Sequence, residues 1–464
     1  MNKEQELARK IILETNDNIF ITGKAGTGKT TFLKQIVKEL SAKRKKYVVL
    51  APTGVAAINA EGSTIHRFFG WKPENTPLTN EKVPIQTYQK LDTIIIDEVS
   101  MLKADLLDRI DLFLKNNIKD KKREKESFAG IQMVFIGDLY QLPPVVTDIK
   151  EQEKYSKDMI ETDDDIINML NDEGKHKKYD SCYFLSSYAL RKKYLHIVEF
   201  TEIFRQKEQQ FVDILNSVRV NTVSQEQLNI LNKQFTNNTD INSQIKLVTT
   251  NRKADEYNSI ELSKINSQEC ISKAKIEPYY EDSYYSMPVP KVLNLKVGAK
   301  VMILINDNKE QKYVNGSIGK IISIQTDFWA KKNINLVKTI TVKLDNGNTV
   351  KIERNKWSKY KYVWNEEKQE YEKKEIGYIE QFPIKLAWAV TIHKSQGQTF
   401  DTLTIDLTSG AFEKGQVYVA LSRCRTLAGI SLIQEIQPKD IIIDTKIEKL
   451  LALQNRINRI LKQN

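Results

Sequence analysis

The sequence predicts an α/β protein built from two parallel-sheet units, the second interrupted by a small antiparallel β-domain. Three observations carry this. Short, nearly continuous apolar runs alternate with amphipathic stretches from residue 18 to about 136, and the same alternation resumes near residue 195. Between Gly298 and about Tyr378 the pattern changes to β-branched alternation punctuated by Asn-Gly pairs. Continuous apolar runs suit strands buried on both faces of a parallel sheet, whereas alternation and Asn-Gly suit hairpins.

In order, Asn18–Thr22 (NIFIT), Tyr47–Ala51 (YVVLA), Thr93–Ile96 (TIII) and Gln132–Ile136 (QMVFI) are the first strands. Thr30–Leu40 and Leu102–Leu114 carry apolar residues at helical spacing between them, which places helices on both sheet faces. In the second unit Ile245–Thr249 and Leu403–Asp406 are buried strands, and Gln209–Val218, Arg252–Ile265 and Gly415–Ser422 are helices. Asn315-Gly316 and Asp345-Asn346-Gly347 mark turns, with Thr339–Lys343 as an alternating strand. The tail, from Ile447 to Leu461, is an amphipathic helix whose stripe packs on the core. Lys119–Glu126 (KDKKREKE) is a solvated charge run. The stretch 151–170, net −5 with Asp163, Asp164 and Asp165, is a solvated acidic loop rather than a cation site.

Composition narrows the function. At about 100–200 residues per domain, 464 residues predict two to four domains. With 40% hydrophobic and 28% charged residues, wholesale disorder is excluded. No apolar run approaches the ~18 residues of a membrane span, and MNKEQELARK lacks a signal core. Cys182, Cys270 and Cys424 form no C-x-x-C, which excludes a disulfide scaffold and suits a reducing compartment. The net charge of +11 permits a polyanionic partner. Residues 291–360 hold 14 Lys+Arg against 5 Asp+Glu, so nearly all the surplus falls on the expected β-domain.

Gly23-Lys24-Ala25-Gly26-Thr27-Gly28-Lys29-Thr30 matches G-x-x-x-x-G-K-[ST] directly after a strand and before a helix. Its glycines let backbone N–H groups turn inward onto phosphate oxygens, and the helix N-terminus adds its dipole. Lys29 supplies charge to the β/γ-phosphates and the Thr30 hydroxyl a ligand to Mg²⁺. The strand Thr93–Ile96 ends in Asp97-Glu98, at the sheet edge where open α/β folds hold ligands. Asp97 is the Mg²⁺ partner, and Glu98 the group that orients the attacking water and accepts its proton. Gln132–Ile136 runs into Gly137-Asp138-Leu139-Tyr140-Gln141. Gln141 is there either a γ-phosphate sensor or a solvated amide on a proline-terminated strand.

The motifs then fall into a familiar order. GKAGTGKT is followed by APTGVAA (Ala51–Ala57), STIHRFF (Ser63–Phe69), IIIDEVSML (Ile94–Leu102) and GDLYQLPPV (Gly137–Val145). TEIFRQ (Thr201–Gln206), VNGSIG (Val314–Gly319), AVTIHKSQGQTF (Ala389–Phe400) and YVALSRCR (Tyr418–Arg425) complete the series. In these motifs, and in the stretch Asp105–Gln132 between two of them, the chain resembles the Pif family of superfamily-one DNA helicases, relatives of the RecD-type enzymes.

That resemblance implies two RecA-like P-loop domains with ATP and Mg²⁺ in the cleft between them. The first would span 1–180 with a wedge insertion at about 66–91 that meets the duplex fork. The second would span 181–297 and 380–464, with a Src-homology-like β-barrel inserted at 298–379. Lys29, Thr30, Asp97, Glu98 and Gln141 match the family's first-domain ATP positions, with Gly23, Gly26, Thr27, Gly28 and Thr31 around the phosphates and Gly397 opposite. Arg205 and Arg423 match the two arginines that reach the γ-phosphate, and Gln5 the adenine-reading glutamine. For DNA, the matches are Thr53, Gly54, His66 and Phe68 in the first domain, and Asn315, Gly316, His393 and Lys394 in the second. Of Phe68 and Phe69, at least one is expected in the core.

The implied activity is an ATP-dependent, 5′-to-3′ DNA helicase moving on single-stranded DNA and opening tailed or forked duplexes. Quadruplexes and RNA–DNA hybrids are further substrates the family allows, in replication, repair, recombination or telomere maintenance. Two alternatives stand beside it: a RecD-like motor subunit of a recombination complex, and an ssDNA-stimulated ATPase that remodels without separating strands. The expected setting is a bacterial or phage-type cytoplasm, with a monomer or a weakly self-associating protein on DNA, no membrane, and protein partners left open.

Overall fold

The computed structural model describes residues 1–464 except 72–85, 119, 147–151, 156–161, 172–177, 236–243, 278–286, 288, 306, 308–311, 314, 327–336, 366–369 and 464. The first sheet is parallel throughout, with strands β1 (Asn18–Gly23), β2 (Tyr47–Ala51), β3 (Ser63–Thr64), β4 (Thr93–Ile96), β5 (Gln132–Ile136) and β6 (Leu195–Phe200). Their spatial order is β3-β2-β4-β5-β1-β6. The continuous apolar runs have a direct cause. Phe20, Leu50, Ile94, Ile96 and Phe135 enter the hydrophobic layer on one face, while Ile19, Ile21, Val49, Ile95 and Val134 enter the layer on the other. The helix Lys29–Ala42 buries Phe32, Leu33, Ile36 and Leu40 in that second layer, and Ala104–Asn117 buries Leu107, Ile110 and Leu114 in the first.

A second parallel sheet follows the order Ala389–Thr391, Ile245–Val248, Leu403–Asp406, Ile430–Leu432. Between its first two strands in sequence lies an antiparallel insertion. Its five-stranded sheet runs Thr349–Ile352, Val337–Leu344, Ile318–Thr326, Lys300–Ile303, Ile384–Leu386. A long hairpin, Asn355–Asn365 with Glu370–Gln381, pairs with Lys275–Ile276.

The pairings revise several expectations. Leu195–Phe200 was expected in the second unit, yet it hydrogen-bonds in parallel to β1 and completes the first sheet, so the chain of that sheet runs past residue 180. Antiparallel strands begin at Cys270–Lys273, which pairs with Val292–Leu295, and Ile384–Leu386 still pairs with Lys300–Ile303; the insertion therefore overruns 298–379 at both ends. The terminal helix Lys446–Gln463, also expected with the second unit, buries Ile447 and Leu450 in the first unit's core. Asp163, Asp164 and Asp165 form the first turn of a helix, Asp163–Asn171, where the helix dipole favours carboxylates, and Asp163 pairs with Arg456 at 2.6 Å. The charge run around Lys122 is not simply solvated either: Arg123 donates to the carbonyls of Ala129 and Gln89, both at 2.9 Å. Of the expected wedge, Pro73, Pro77 and Pro84 lie outside the described residues, while Trp71 is buried.

β6 is an edge strand, and the terminal helix covers its start. Asn458 Oδ1 accepts from the Leu195 N–H at 3.1 Å and its Nδ2 donates to the Leu195 carbonyl at 2.7 Å. Removing both bonds leaves two buried backbone groups to be satisfied elsewhere. Asn458→Ala should therefore lower the unfolding free energy by about 1–3 kcal/mol, read as a lower denaturant midpoint at unchanged slope.

Candidate nucleotide cleft and nucleic-acid junction

The phosphate loop leaves β1, the strand flanked by β5 and β6, and enters the helix Lys29–Ala42. Gly26 (φ +84°) and Gly28 (φ +79°) adopt left-handed backbone that side-chain-bearing residues rarely take. At Gly26 a Cβ would lie 2.7 Å from the Arg205 Cβ, so the loop is pressed against the segment that follows β6. The Phe204 N–H donates to the Gly26 carbonyl at 2.9 Å and closes that contact. Lys29 Nζ donates to the carbonyls of Gly23 (2.6 Å) and Lys24 (2.9 Å), so its ammonium lies inside the loop. The Thr27 hydroxyl donates to Lys24 O at 2.9 Å and so braces the loop. Gly23 does not line the cleft. A Cβ there would sit 2.6 Å from the Phe200 carbonyl, so Gly23 permits β1 to approach β6 and lends its carbonyl to Lys29.

A cleft of about 640 Å³ opens over this loop. Of the expected nucleotide residues, Gly26, Thr27, Gly28, Lys29, Thr30, Thr31, Asp97, Glu98 and Gln141 line it from the first sheet's loops, and Arg205, Gly397 and Arg423 line it from the other side. Glu98 follows β4 with φ 52° and ψ 47°, a left-handed conformation that is costly for a side-chain-bearing residue and turns it out of the strand line. Gly137 allows the end of β5 to lie against this corner, since a Cβ would stand 2.9 Å from the Val99 nitrogen. Arg205 Nη1 donates to the Ser422 carbonyl at 3.0 Å, and Arg423 Nε to the Val419 carbonyl at 3.0 Å, which aims both guanidinium groups from one scaffold. Gln5 stands outside the cleft lining, 3.8 Å from where a Gly28 Cβ would be, and caps its own helix through a reciprocal pair with Asn2.

The electrostatics of the cleft are one-sided for each charge type. Burial pushes the Lys29 ammonium and the Arg205 guanidinium below their ordinary values, and burial together with Arg205 does the same to Arg423. Burial, then the adjacent Glu98 charge, pushes the Asp97 carboxyl up; Glu98 is raised by burial despite Lys29 and Arg423. Lys29, Arg205 and Arg423 thus meet Asp97 and Glu98 in one cleft, each shifted toward its neutral form by burial, a set of charges that a polyphosphate with a divalent ion would suit.

The expected DNA residues divide into a junction and outliers. Thr53 and Gly54 begin the short helix Gly54–Asn59, with the Thr53 hydroxyl accepting from Ala56 N at 3.2 Å. At its end Asn59 accepts from Asn315 Nδ2 at 3.0 Å, and its own Nδ2 sits 3.0 Å from where a Gly397 Cβ would be. Gly397 follows directly on His393–Ser395, so contacts from both halves and the insertion meet around Asn59. Gly316, beside Asn315, takes a left-handed φ of +95°. His393 pairs with Glu413 at 2.5 Å, and burial pushes the Lys394 ammonium down. His66 is half-buried in the helix Ile65–Phe68. Phe68 does not fit its expected stacking role. It is 6% exposed and packs edge-on against Phe69 and Tyr88, so no base can reach its face.

Four further residues carry the site. Phe204, 53% exposed, lies 3.5 Å from where a Gly28 Cβ would be and offers a ring face at the cleft mouth. Tyr418 OH accepts the Ala25 N–H of the phosphate loop at 2.9 Å and donates to Asp138 at 3.2 Å. Asp138 is fully buried and pairs with Arg219 at 2.9 Å. Burial alone would raise this carboxyl, but Arg219 and Lys29 outweigh it and hold it below the usual range. Phe204, Asp138 and Tyr418 sit inside motifs already singled out in the sequence. Arg219 carries no local signal beyond ending an amphipathic helix.

Two P-loop-type α/β sheets facing each other across a phosphate cleft, with an antiparallel insertion in the second, define a two-lobed ATPase motor. A sequence model of the PIF1-like helicases matches residues 1–163. The ATP-dependent DNA helicase Pif1 of Bdellovibrio bacteriovorus is 29% identical over 447 residues, covering 94% of this chain and 88% of that protein. Unliganded Pif1 from a Bacteroides species superposes with a TM-score of 0.77 at 35% identity, over 98% of this chain and 96% of that one. A Bacteroides Pif1 complex with ADP-AlF3 and ssDNA gives a TM-score of 0.66 at 34% identity, over 98% and 97%. The chain belongs to the PIF1-like helicase family.

Gly26→Ala adds a side chain where backbone and space both forbid it, displacing Arg205 from the phosphate loop. ATPase kcat/KM should fall about 10²-fold, as expected for a misplacement of about 1 Å at a reacting centre, with the thermal unfolding midpoint lowered by the strain of a side chain at positive φ.

Proposed function

We propose that this chain is an ATP-driven helicase that moves 5′ to 3′ on single-stranded DNA and separates tailed or forked duplexes. The observation that carries the reading is the cleft itself, where Lys29, Glu98, Arg205 and Arg423 converge from two lobes whose far side meets at Asn59, Asn315 and Gly397. ATP phosphates would take the cations now held by loop carbonyls and by Ser422 and Val419. Thr30 and Asp97 would hold Mg²⁺, a hydroxyl and a carboxylate that suit an ion retaining most of its water; bound there, it neutralises charge developing on the phosphates. Glu98, with a raised pKa that suits a base, accepts the proton of the attacking water as its oxygen bonds to the γ-phosphorus. The bond to the bridging oxygen breaks and leaves as ADP, while Arg205 and Arg423 stabilise the charge on the transferred group; such arginines are worth ~10³–10⁵ in rate in other NTPases. Gln5 and the Phe204 face suit an adenine edge and ring, respectively.

Gly397 joins the two functions, because it lines the cleft on one side and rests on Asn59 on the other. Closure around ATP thereby moves His393 and Lys394 relative to Thr53, and alternating grip advances the lobes along DNA. The basic surplus of residues 291–360 supports a backbone-tracking partner. Three free cysteines suit a reducing cytoplasm.

Lys29→Ala should abolish ssDNA-stimulated ATPase and unwinding while ssDNA binding stays within about threefold, because binding is carried by phosphate contacts elsewhere. Retained hydrolysis in that variant would sink the assignment. With the purified chain alone, a 5′-tailed duplex should be opened and a 3′-tailed duplex left intact. Hydrolysis without displacement would instead favour a remodelling ATPase, and opening that requires an added subunit would favour a RecD-like role. ssDNA affinity should fall with salt at a log–log slope of about −0.7 per phosphate neutralised.

A further inference from the structure

Gln141 lines the cleft from a tight turn after β5. Within that turn the Gln141 N–H donates to the Asp138 carbonyl at 3.0 Å, and the Tyr140 N–H to Asp138 Oδ1 at 3.2 Å. The turn is also gripped from outside by residues that do not themselves line the cleft. From the end of the helix Gln209–Arg219, Arg219 Nη2 donates to Asp138 Oδ1 at 2.9 Å and Nε to the same oxygen at 3.3 Å. Its guanidinium carbon lies over the Tyr140 ring, 4.0 Å from the centroid. From the helix Gln416–Leu421, Tyr418 bridges the other Asp138 oxygen to the Ala25 N–H of the phosphate loop. Just before that helix, Gly415 lets the backbone rest on the turn itself, since a Cβ would meet the Tyr140 and Gln141 carbonyls at 2.4 and 2.7 Å.

We propose that Arg219 and Tyr418 are positioning residues through which the second lobe fixes Gln141 and the phosphate loop in register for hydrolysis; this rests on reading the cleft as the ATPase site. Asp138 is the shared anchor. Its two oxygens take one partner from each helix of the second lobe, and its backbone carbonyl holds Gln141. The Tyr418 hydroxyl uses both its donor and its acceptor, so the loop amide and the Gln141 turn are tied through one oxygen atom. A planar guanidinium can bond a carboxylate and stack on a ring at once, which a lysine ammonium cannot reproduce. The second of these helices also aims the arginines: Tyr418 lies one turn before Ser422, whose carbonyl holds Arg205, and Arg423 bonds the Val419 carbonyl. The Gln141 turn, the loop and the two arginines thus share one helix as a reference, and a lobe movement that separates Tyr418 from Ala25 also removes that helix's hold on Asp138.

The test is steady-state ATPase at saturating ssDNA for the full chain, with Arg219→Gln, Tyr418→Phe and the double variant Asp138→Asn/Arg219→Gln, each checked for folding by its thermal midpoint. Wild-type hydrolysis is the control for the cleft reading: if wild type does not hydrolyse ATP, that reading fails and not this one. Given wild-type activity, Tyr418→Phe and Arg219→Gln should lower kcat by about tenfold or more with KM for ATP within about twofold, the pattern of an interaction that matters in the transition state. The double variant, whose two amides can bond each other with no buried charge, should fold more stably than Arg219→Gln but keep a lowered kcat, because an amide offers one acceptor oxygen where Asp138 offers two and the Tyr418 bridge is lost. Arg219→Gln leaves Asp138 buried without its cation, so if it does not fold, Tyr418→Phe, which removes a single oxygen, decides. Wild-type kcat in folded Tyr418→Phe or in the folded double variant, or a loss expressed in KM alone, overturns the proposal.

Discussion

The cleft depends on one constraint, the tight backbone of the loop between β1 and the helix Lys29–Ala42. That constraint removes side chains at Gly26 and Gly28, where the backbone turns left-handed and the opposing segment comes within van der Waals contact. A loop made this way has little structure of its own, so its conformation has to be imposed. Lys29 ties it from within through Gly23 and Lys24, and Phe204 ties it at Gly26. Tyr418 ties it at Ala25 from a residue 393 positions away in the chain. The parallel sheet is the base for this, since β1, β4 and β5 run together and deliver the loop, Asp97-Glu98 and the Asp138–Gln141 turn to one edge.

What could be read from sequence follows from whether a signal is local. β1, β2, β4 and β5 are legible because each is buried on two faces and reads as an unbroken apolar run. β6 misleads for the opposite reason. As an edge strand, Leu-His-Ile-Val-Glu-Phe keeps His196 and Ile197 half-buried and Glu199 exposed, so it resembles the start of a new unit rather than the end of the old one. β3 is two residues long, too short for any pattern. The insertion's bounds were blurred because pairing, not composition, decides that Cys270–Lys273 and Ile384–Leu386 are antiparallel.

The same division holds in the site. Asp97 and Glu98 directly follow the end of β4, and Lys29 and Thr30 open the helix that follows β1, so their meeting at one sheet edge could be read from spacing. Phe68 could not be settled that way: STIHRFF is equally a stacking platform or a core helix, and only Tyr88 and Trp71 packing on the Phe68–Phe69 pair decides for the core. Arg219 pairs with Asp138 across 81 residues and Tyr418 across 280, distances at which a lone charged or hydroxyl side chain carries no pattern.

The charges that line the cleft differ from the one that holds its register. Burial pushes Lys29, Arg205 and Arg423 down and Asp97 and Glu98 up, and the nearby Arg205 charge adds to the effect on Arg423. Asp138 is the exception that keeps the arrangement aligned. Its charge is compensated within the protein, first by Arg219 and then by Lys29, while the Tyr418 hydroxyl adds a neutral hydrogen bond that ties the turn to the phosphate loop.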